Sequence, residues 1–272
     1  MQTFTFIGVT TGQSAATRLF PAWAAELELG DVRLVGYDLP LHAARERYRE
    51  VIRQIKNGSN ERGGLITTHK IDVFEACRDM FDAVDPYAEL CGETSCLAKR
   101  DGRLWALATD PISSERALAE FSHITVVGRT QARLEAMQAI HAKIGPKTPV
   151  RYIENGDPRI NDRLIAELPP GSLVINATGM GKDTPGSPIT DAAMFPEDGF
   201  VWDLNYRGEL EFLRQAEQQR AGRNLRVEDG WRYFIHGWAV VMEHVFEIAI
   251  DSEKVARISA VSEPERPKRA LS

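Results

Sequence analysis

Apolar positions recur along the chain with two alternating periods, one typical of strands and one typical of helices. The run at 4–9 alternates and is rich in β-formers, a polar turn follows at 10–14, and apolar residues then recur at helical spacing over 15–29. The same strand, turn and helix series returns at 32–56 and again at 65–83. Repeated units of this kind with short connections predict an α/β sandwich.

A hairpin separates this first group of units from a second one. Two strand-like runs, 94–98 and 104–108, flank Arg100-Asp101-Gly102, and an Asp-Gly step between such runs is a strong hairpin signal. Turn residues predict a loop at 57–64. Beyond the hairpin, the pattern predicts strands at 123–127, 150–153, 173–176 and 200–204, and a short strand or turn at 227–230. It predicts helices at 111–121, from the end of the first of these strands to about 143, at 160–166 and at 210–220, and a long apolar helix at 233–250.

Composition narrows the class of protein without identifying it. A length of 272 residues fits one large domain or two smaller ones, and 43% hydrophobic with 26% charged residues is typical of globular proteins. The net charge of −6 argues against a nucleic-acid partner. The odd, low cysteine count, with no run approaching the roughly eighteen apolar residues of a membrane span and no signal peptide, predicts a cytoplasmic protein with no membrane partner.

Two charged residues stand just past strand-like runs and are the first candidates for chemistry. Lys70 ends the run that begins at Leu65, and Asp110 lies in a Thr-Asp-Pro corner after the hairpin. Open α/β sheets carry their sites outside the carboxyl ends of strands, so such positions favour a functional interpretation. Taken alone, Lys70 is equally typical of a solvated lysine, Asp110 of a cap before Pro111, and Ser14 of a helix N-cap.

Short motifs occur in a fixed order along these elements. They are Ser14 after the first strand, Lys70 after the third, Thr109-Asp110 after the hairpin, Arg129-Thr130, Asn176-Ala177-Thr178 with Gly181, and Tyr206 in the run DLNY. From about residue 4 to residue 250 this series resembles the shikimate dehydrogenase family, including its quinate/shikimate members. The resemblance implies an N-terminal α/β substrate-binding domain and a Rossmann-like domain for NADP or NAD, with the C-terminal helix returning to the first domain.

The resemblance also implies domain bounds and roles for individual residues. Lys70 and Asp110 match the catalytic lysine and aspartate of the family. The implied division is 1–111 with 231–261 for the substrate, 112–230 for the nucleotide, and 262–272 as a loose tail. Substrate contacts are implied for Ser14, Thr67, Ser95 and Tyr206, and cofactor contacts for Arg129, Thr130, Thr178, Gly181 and Gly230, with no metal ligand.

Several positions that face the substrate in the family carry other residues here. The second carboxylate-binding serine is Ala16, and the threonine of the strand-three motif falls on Ile66. The asparagine of the Gly-Ala-x-Asn-Thr motif is Ser95, and the asparagine and glycine around Thr109-Asp110 are Ala108 and Pro111. A C-terminal glutamine that touches the substrate falls on Gly237. These departures leave the substrate open and bear less on the class of reaction.

The largest departure is an absence between Asp110 and the strand at 123–127. The family has a strand, a glycine-rich phosphate loop and a helix there, whereas this chain has only enough residues for one short helix and no GxGxxG anywhere. Removing the central strand of a Rossmann sheet leaves its neighbours without ladder partners. We therefore expect that about 30 to 45 residues are missing from this sequence near 119–123, the length that such a unit needs.

Three functional hypotheses follow from these patterns. The first is an NAD(P)-dependent oxidoreductase that interconverts a cyclic hydroxy acid and its keto acid, with Lys70 and Asp110 as the acid–base pair. The second is a non-catalytic paralogue that binds a small acid or regulates, having lost its nucleotide loop. The third keeps the fold but uses a different substrate altogether, as the altered positions Ala16, Ser95 and Gly237 allow. The choice between NAD and NADP and the oligomeric state, a homodimer included, stay open.

Overall fold

The computed structural model describes residues 1–110, 122–146 and 148–268, and these divide into two compact units. The first unit contains 1–110 and 235–266. The second contains 122–234 apart from Lys147, together with 267–268. The strands are β1 Gln2–Gly8, β2 Val32–Asp38, β3 Glu61–Ile66, β4 Ala83–Val84, β5 Cys96–Arg100, β6 Arg103–Leu107, β7 Ile124–Gly128, β8 Val150–Glu154, β9 Leu173–Asn176, β10 Phe200–Asp203 and β11 Arg226–Glu228. The helices are α1 Ala15–Glu26, α2 Arg45–Asn57, α3 Lys70–Cys77, α4 Pro86–Cys91, α5 Gln131–Ile144, α6 Pro158–Ala166, α7 Glu211–Arg223, α8 Trp231–Phe246 and α9 Ser252–Ser262.

The first unit is built on one six-stranded sheet in the order β2-β1-β3-β5-β6-β4. The β1 strand pairs in parallel with both β2 and β3, and β5 runs antiparallel between β3 and β6. The strands β1, β2, β3 and β6 therefore all end at the same edge of the sheet. The loops that follow them are the positions at which an open sheet carries a site.

Both faces of this sheet are covered by apolar side chains. On one face α2 and α3 pack their buried residues against Ile7, Ile66 and Leu104. On the other face Phe4 contacts Phe20, Trp238 and Phe246 at ring-centroid distances of 5.6, 6.0 and 5.4 Å, so that α1 and α8 close the layer. Alternate residues of a strand point to opposite faces, which is why one short strand serves both cores.

Several boundaries in this unit differ from the sequence expectation. The predicted loop at 57–64 contains the start of β3, which begins at Glu61. At Gly63 a Cβ atom would come within 2.0 Å of the Leu97 carbonyl oxygen, so this strand position requires glycine, a residue that is also typical of loops. The third helix stops at Cys77 and continues as a 3₁₀ turn. Ser262, where a loose tail was expected, is buried and accepts a hydrogen bond of 2.7 Å from the Trp23 indole.

The second unit contains two separate parallel sheets. One has three strands in the order β11-β10-β9, and the other pairs only β7 with β8. Within the described residues no ladder joins β7 to β9. Relative to the Rossmann order 3-2-1-4-5-6, these sheets correspond to the two sides of the fold, and the strand without a counterpart is the central one.

The two sheets of this unit also differ in packing. The three-stranded sheet and α7 share a buried cluster that includes Phe195, Val201, Phe212 and Leu213. In α5, beside the two-stranded sheet, Leu134 is the one buried residue. The predicted helix at 111–121 and most of the region in which we expect a missing segment lie outside the described residues. No helix in the described ranges is long and apolar enough to cross a membrane.

Candidate active site

The candidate site lies at the carboxyl edge of the first unit's sheet. Lys70 is the first residue of α3 and follows β3 after a short turn, and Asp110 follows β6. The two side chains form an ion pair between the Lys70 ammonium group and the Asp110 carboxylate. They are 27% and 38% exposed, respectively, so a small molecule can reach the pair. The structure thus brings together the two residues to which the sequence assigns catalysis.

The hairpin holds Asp110 in place through its neighbour Thr109. The Ser95 hydroxyl oxygen accepts a hydrogen bond of 2.9 Å from the Thr109 backbone N–H and lies 3.0 Å from the Thr109 hydroxyl. One residue earlier, the backbone N–H of Ala108 donates to the Asp85 carboxylate at 2.7 Å. Ser95 and Thr109 are both buried. The predicted substrate ligand Ser95 therefore uses its hydroxyl to fix the corner that carries Asp110.

Lys70 is held in turn by a buried polar group on its N-terminal side. His69 is 1% exposed, with Nε2 lying 3.0 Å from the Leu39 carbonyl oxygen and Nδ1 3.2 Å from the Tyr48 hydroxyl. The Tyr48 hydroxyl also donates to the Asp72 carboxylate at 3.1 Å. These bonds fix the start of α3 from behind. His69 is thus a helix-start residue with both ring nitrogens engaged, and Lys70 is the residue that faces the site.

A third titratable side chain lies beside the pair, and the sequence did not single it out. Glu93 is half-buried, and burial is the main cause that raises the pKa of its carboxyl group. The positive charge of Lys70 lowers that pKa and the negative charge of Asp110 raises it further, so all three groups interact. The backbone supports this placement, because the Thr94 N–H donates to the Lys70 carbonyl oxygen at 3.2 Å. The sequence did contain a signal for this residue, because Glu93 places a charge where the family's Gly-Ala-x-Asn-Thr motif has alanine.

The other predicted substrate ligands occupy several environments. Ser14 is the N-cap of α1, and its Oγ accepts the Ala16 N–H at 3.3 Å. The Thr67 hydroxyl donates to the Ile7 carbonyl oxygen at 3.3 Å. Tyr206 lies in the second unit and packs on the rings of Trp231 and Phe234. Their role in substrate binding stays a prediction.

In the second unit a buried carboxylate organises the predicted nicotinamide loop. Asp203 is fully buried, and burial raises the pKa of its carboxyl group. It accepts hydrogen bonds from Asn176 at 2.9 Å and from the side chain of Asn205 at 2.8 Å. The Asn205 amide also donates to the Thr178 carbonyl oxygen at 2.8 Å. Asp203 and Asn205, which the sequence did not single out, thus hold the loop that begins at Asn176.

The remaining predicted cofactor residues lie at the ends of strands or at close backbone contacts. Arg129 and Thr130 follow β7 directly and precede α5, and within the described residues the exposed Arg129 guanidinium group has no partner. Gly181 donates its N–H to the Thr184 carbonyl oxygen at 2.7 Å. At Gly230 a Cβ atom would come within 1.9 Å of the Leu204 carbonyl oxygen, so this contact requires glycine.

These residues fit the two ends of a dinucleotide better than its middle. A strand end followed by a helix N-terminus and an unpaired arginine suits a phosphate on the adenosine side. A tight loop after β9 suits the nicotinamide side, where the backbone must approach closely. The glycine-rich turn that cradles a pyrophosphate has no counterpart in the sequence. The fit is therefore partial.

Comparisons with known proteins give relatives of one kind by sequence, and no family model matches the chain. The shikimate dehydrogenase (NADP⁺) of Streptococcus thermophilus is 28% identical over 165 residues, which is 51% of this chain and 58% of that protein. The Thermus thermophilus enzyme of the same name is 27% identical over 235 residues, covering 80% of this chain and 84% of its own length.

Solved structures agree with the sequence relatives on the fold. A shikimate dehydrogenase in complex with NADP⁺ superposes with a TM-score of 0.74 at 18% identity, covering 98% of this chain and 96% of its own. The Thermus thermophilus enzyme with NADP(H) and shikimate gives 0.68 at 21% identity, covering 97% and 99%. A 5-ketofructose reductase from Gluconobacter gives 0.66 at 15% identity, covering 97% and 98%.

Proposed function

We propose that the chain is a divergent member of the shikimate dehydrogenase family and acts as an NAD(P)-dependent oxidoreductase. The proposed reaction interconverts a cyclic hydroxy acid, of the shikimate/3-dehydroshikimate or quinate type, and its keto acid. The observation that carries the proposal is the ion pair of Lys70 and Asp110 at the carboxyl edge of the first sheet. Relatives that bear the name shikimate dehydrogenase (NADP⁺) support the class of reaction.

The pair supplies the proton chemistry that this reaction needs. When a ketone is reduced, the Lys70 ammonium group donates a proton from Nζ to the oxygen that gains negative charge. In the reverse direction the neutral amine accepts the proton of the substrate hydroxyl, and such acid–base help typically contributes about 10² to 10⁴ in rate. Asp110 accepts a hydrogen bond from Lys70 and orients Nζ, while Ser95 and Thr109 fix the corner that carries Asp110.

The second unit supplies the residues proposed to hold the nucleotide. Arg129 and Thr130 would bind the phosphate on the adenosine side, and the guanidinium group suits a 2′-phosphate because it offers a planar fork of donors. The loop from Thr178 to Gly181, held by Asp203 and Asn205, would face the nicotinamide. Gly230 makes a close backbone contact with the segment that carries Asn205. When bound, NAD(P) exchanges a hydride with the substrate carbon.

The second candidate function is a non-catalytic protein that binds a small acid or regulates. Two observations favour it. Within the described residues β7 and β9 share no ladder. The sequence contains no glycine-rich phosphate loop. Without such a loop a dinucleotide loses the backbone N–H groups that bind its pyrophosphate. A changed substrate is a third candidate, supported by Ala16 and Gly237 at family contact positions and by the likeness to a 5-ketofructose reductase.

Two measurements separate these candidates. Calorimetric titration with NADP and NAD measures nucleotide binding, and absorbance at the nicotinamide band measures oxidation of shikimate and quinate. The proposal expects binding of at least one nucleotide and turnover of at least one substrate. Absence of nucleotide binding contradicts the proposal and favours the non-catalytic candidate. Nucleotide binding without turnover favours a different substrate. As a control, the Thermus thermophilus enzyme is assayed in parallel.

A further inference from the structure

Glu93 is a carboxylate beside the site for which the described residues provide no hydrogen-bond donor and no ion-pair partner. Within the described residues its side chain accepts no hydrogen bond and forms no ion pair, although it is half-buried and feels the charges of Lys70 and Asp110. The Lys70 ammonium group forms its ion pair with Asp110 instead. An unpaired carboxylate in such a place costs stability, and costly polar groups of this kind concentrate at functional sites.

The position of Glu93 is set by the backbone on both sides. Its own N–H donates to the Ala88 carbonyl oxygen at 3.3 Å, just past the left-handed Gly92 that ends α4. The next N–H, of Thr94, donates to the Lys70 carbonyl oxygen at 3.2 Å. The residue is therefore joined to the chain segment that carries Lys70.

The hydroxyl groups near this pair are engaged elsewhere, which leaves the substrate with few partners. Ser95 and Thr109 bond to each other, and the Thr67 hydroxyl donates to the backbone. A carboxylate offers two oxygens and only accepts hydrogen bonds, so its natural partners in a substrate are O–H groups. The reacting hydroxyl donates its proton to Lys70, so the hydroxyl on the neighbouring carbon is the donor that remains for Glu93.

We propose that Glu93 contacts the substrate and selects for the hydroxyl on the carbon next to the one that is oxidised, from which it accepts a hydrogen bond. Glu93 then binds this hydroxyl in place of Ser95. This inference rests on the proposed function, because it places the reacting oxygen at Lys70. A site that hydrogen-bonds a substrate hydroxyl discriminates strongly against the analogue without it, since its polar group is then left unpaired.

The test is a cycle of two ligands and two proteins, read by binding and by turnover. The ligands are shikimate and the analogue that lacks only the hydroxyl next to the oxidised carbon. The proteins are the wild type and Glu93→Ala, with Glu93→Gln as a variant of the same shape. Glu89→Gln is the matched control, because Glu89 lies on α4, pairs with the exposed Arg78 and is outside the site. Circular dichroism and thermal melting establish that each variant is folded.

We expect the wild type to bind shikimate about 10² times more tightly than the analogue, and Glu93→Ala to reduce that ratio to below about tenfold. Glu89→Gln should leave the ratio unchanged. If Glu93 acted only through Lys70, Glu93→Ala would lower kcat equally for both ligands and leave the ratio intact, which overturns the inference. A wild type that binds both ligands equally, or neither, also overturns it. If Glu93→Ala reduces the affinity ratio but the wild type shows no turnover, only the proposed oxidoreductase function is contradicted. If the wild type turns over shikimate but Glu93→Ala leaves the ratio intact, only the role of Glu93 is contradicted.

Discussion

The two units of this chain carry sheets that differ in how many of their strands are joined by ladders. In the first unit one continuous sheet of six strands, five of them parallel to one another, has helices on both faces, and the ion pair of Lys70 and Asp110 lies at its carboxyl edge. In the second unit the described strands form one sheet of three and one of two, and the sheet of two packs only lightly against α5. The proposed proton chemistry thus rests on a fully paired scaffold, and the proposed nucleotide contacts rest on an interrupted one.

The difference teaches that the scaffold of the proposed proton chemistry is complete in the described residues, while that of the proposed cofactor contacts is not. A strand edge without a ladder partner leaves backbone groups to water and lowers local stability. Arg129 follows β7, which pairs only with β8 in the part of the chain that the structure describes, whereas Thr178 and Gly181 follow β9, which belongs to the better packed sheet. The comparison predicts that loss of Lys70 in the first unit lowers turnover strongly. In the second unit it predicts that the loss of stability depends on which of the two sheets a mutation affects.

The largest expected effect is that of Lys70→Ala on turnover. Loss of the acid–base group should lower kcat by about 10² to 10⁴ with little change in KM, because the group acts on the reacting oxygen in the transition state. Nucleotide affinity, measured by calorimetry, should not change. A kcat within twofold of the wild type would remove Lys70 from the mechanism and with it the first half of the comparison.

Gly230→Ala should destabilise the second unit by about 3 kcal/mol or more, since the added Cβ meets the Leu204 carbonyl oxygen at 1.9 Å and one backbone segment must shift. The control is Gly222→Ala, a helical position with no atom within 4 Å of the new Cβ. That change should stabilise by about 0.5–1 kcal/mol. Urea unfolding followed by hydrogen exchange in each unit measures both, and an equal response of the two variants would contradict the close contact.

Matched leucine truncations compare the packing of the two regions directly. Leu104→Ala, in the main core of the first unit, should cost about 3–4 kcal/mol, and Leu134→Ala, beside the two-stranded sheet, about 2 kcal/mol. The smaller cost is expected because few buried neighbours surround Leu134 and the site can relax. Urea unfolding curves give both values. A larger loss for Leu134→Ala would mean that the two-stranded sheet is packed as well as the first unit.

Arg129→Ala separates the two nucleotides with a smaller effect. Loss of a charge-assisted hydrogen bond to a 2′-phosphate should weaken NADP binding by about tenfold and leave NAD binding within twofold. Calorimetric titration of both nucleotides is the measurement, and Arg133→Ala, on the exposed face of α5, is the control. An equal loss for NADP and NAD would show that Arg129 does not read the 2′-phosphate.

Glu93→Gln should raise thermal stability slightly at neutral pH although it weakens substrate binding. The pKa of Glu93 is higher in the folded protein than in the unfolded chain, so its ionisation above that pKa costs the fold stability. The advantage of the glutamine variant should therefore shrink as the pH falls through the raised pKa of Glu93. Thermal melting at several pH values measures this, and a gap between the two proteins that does not vary with pH would contradict an unneutralised carboxylate.

The sequence by itself determined the class of the fold and the candidates for the acid–base pair. Strand and helix periods are local properties, and most elements were predicted within a few residues, although Gly63 and Gly64 hid the start of β3 because glycine is also typical of loops. Lys70 and Asp110 could be selected because each lies a few residues after a strand, and the resemblance to the family gave them their expected role. The absence of a glycine-rich loop was also visible, because a motif with fixed spacing is either present or not.

Only the tertiary structure decided which polar groups are free and which are engaged. Ser95 was a predicted substrate ligand, yet its hydroxyl bonds to Thr109 across the hairpin, a pairing that no local pattern contains. Glu93 interacts with the charges of Lys70 and Asp110 because the segment after α4 is hydrogen-bonded to Lys70, which is distant in the chain. The separation of β7 from β9 likewise depends on ladders between distant strands. Periodicity follows from the backbone of one segment, whereas burial and pairing depend on which segments meet.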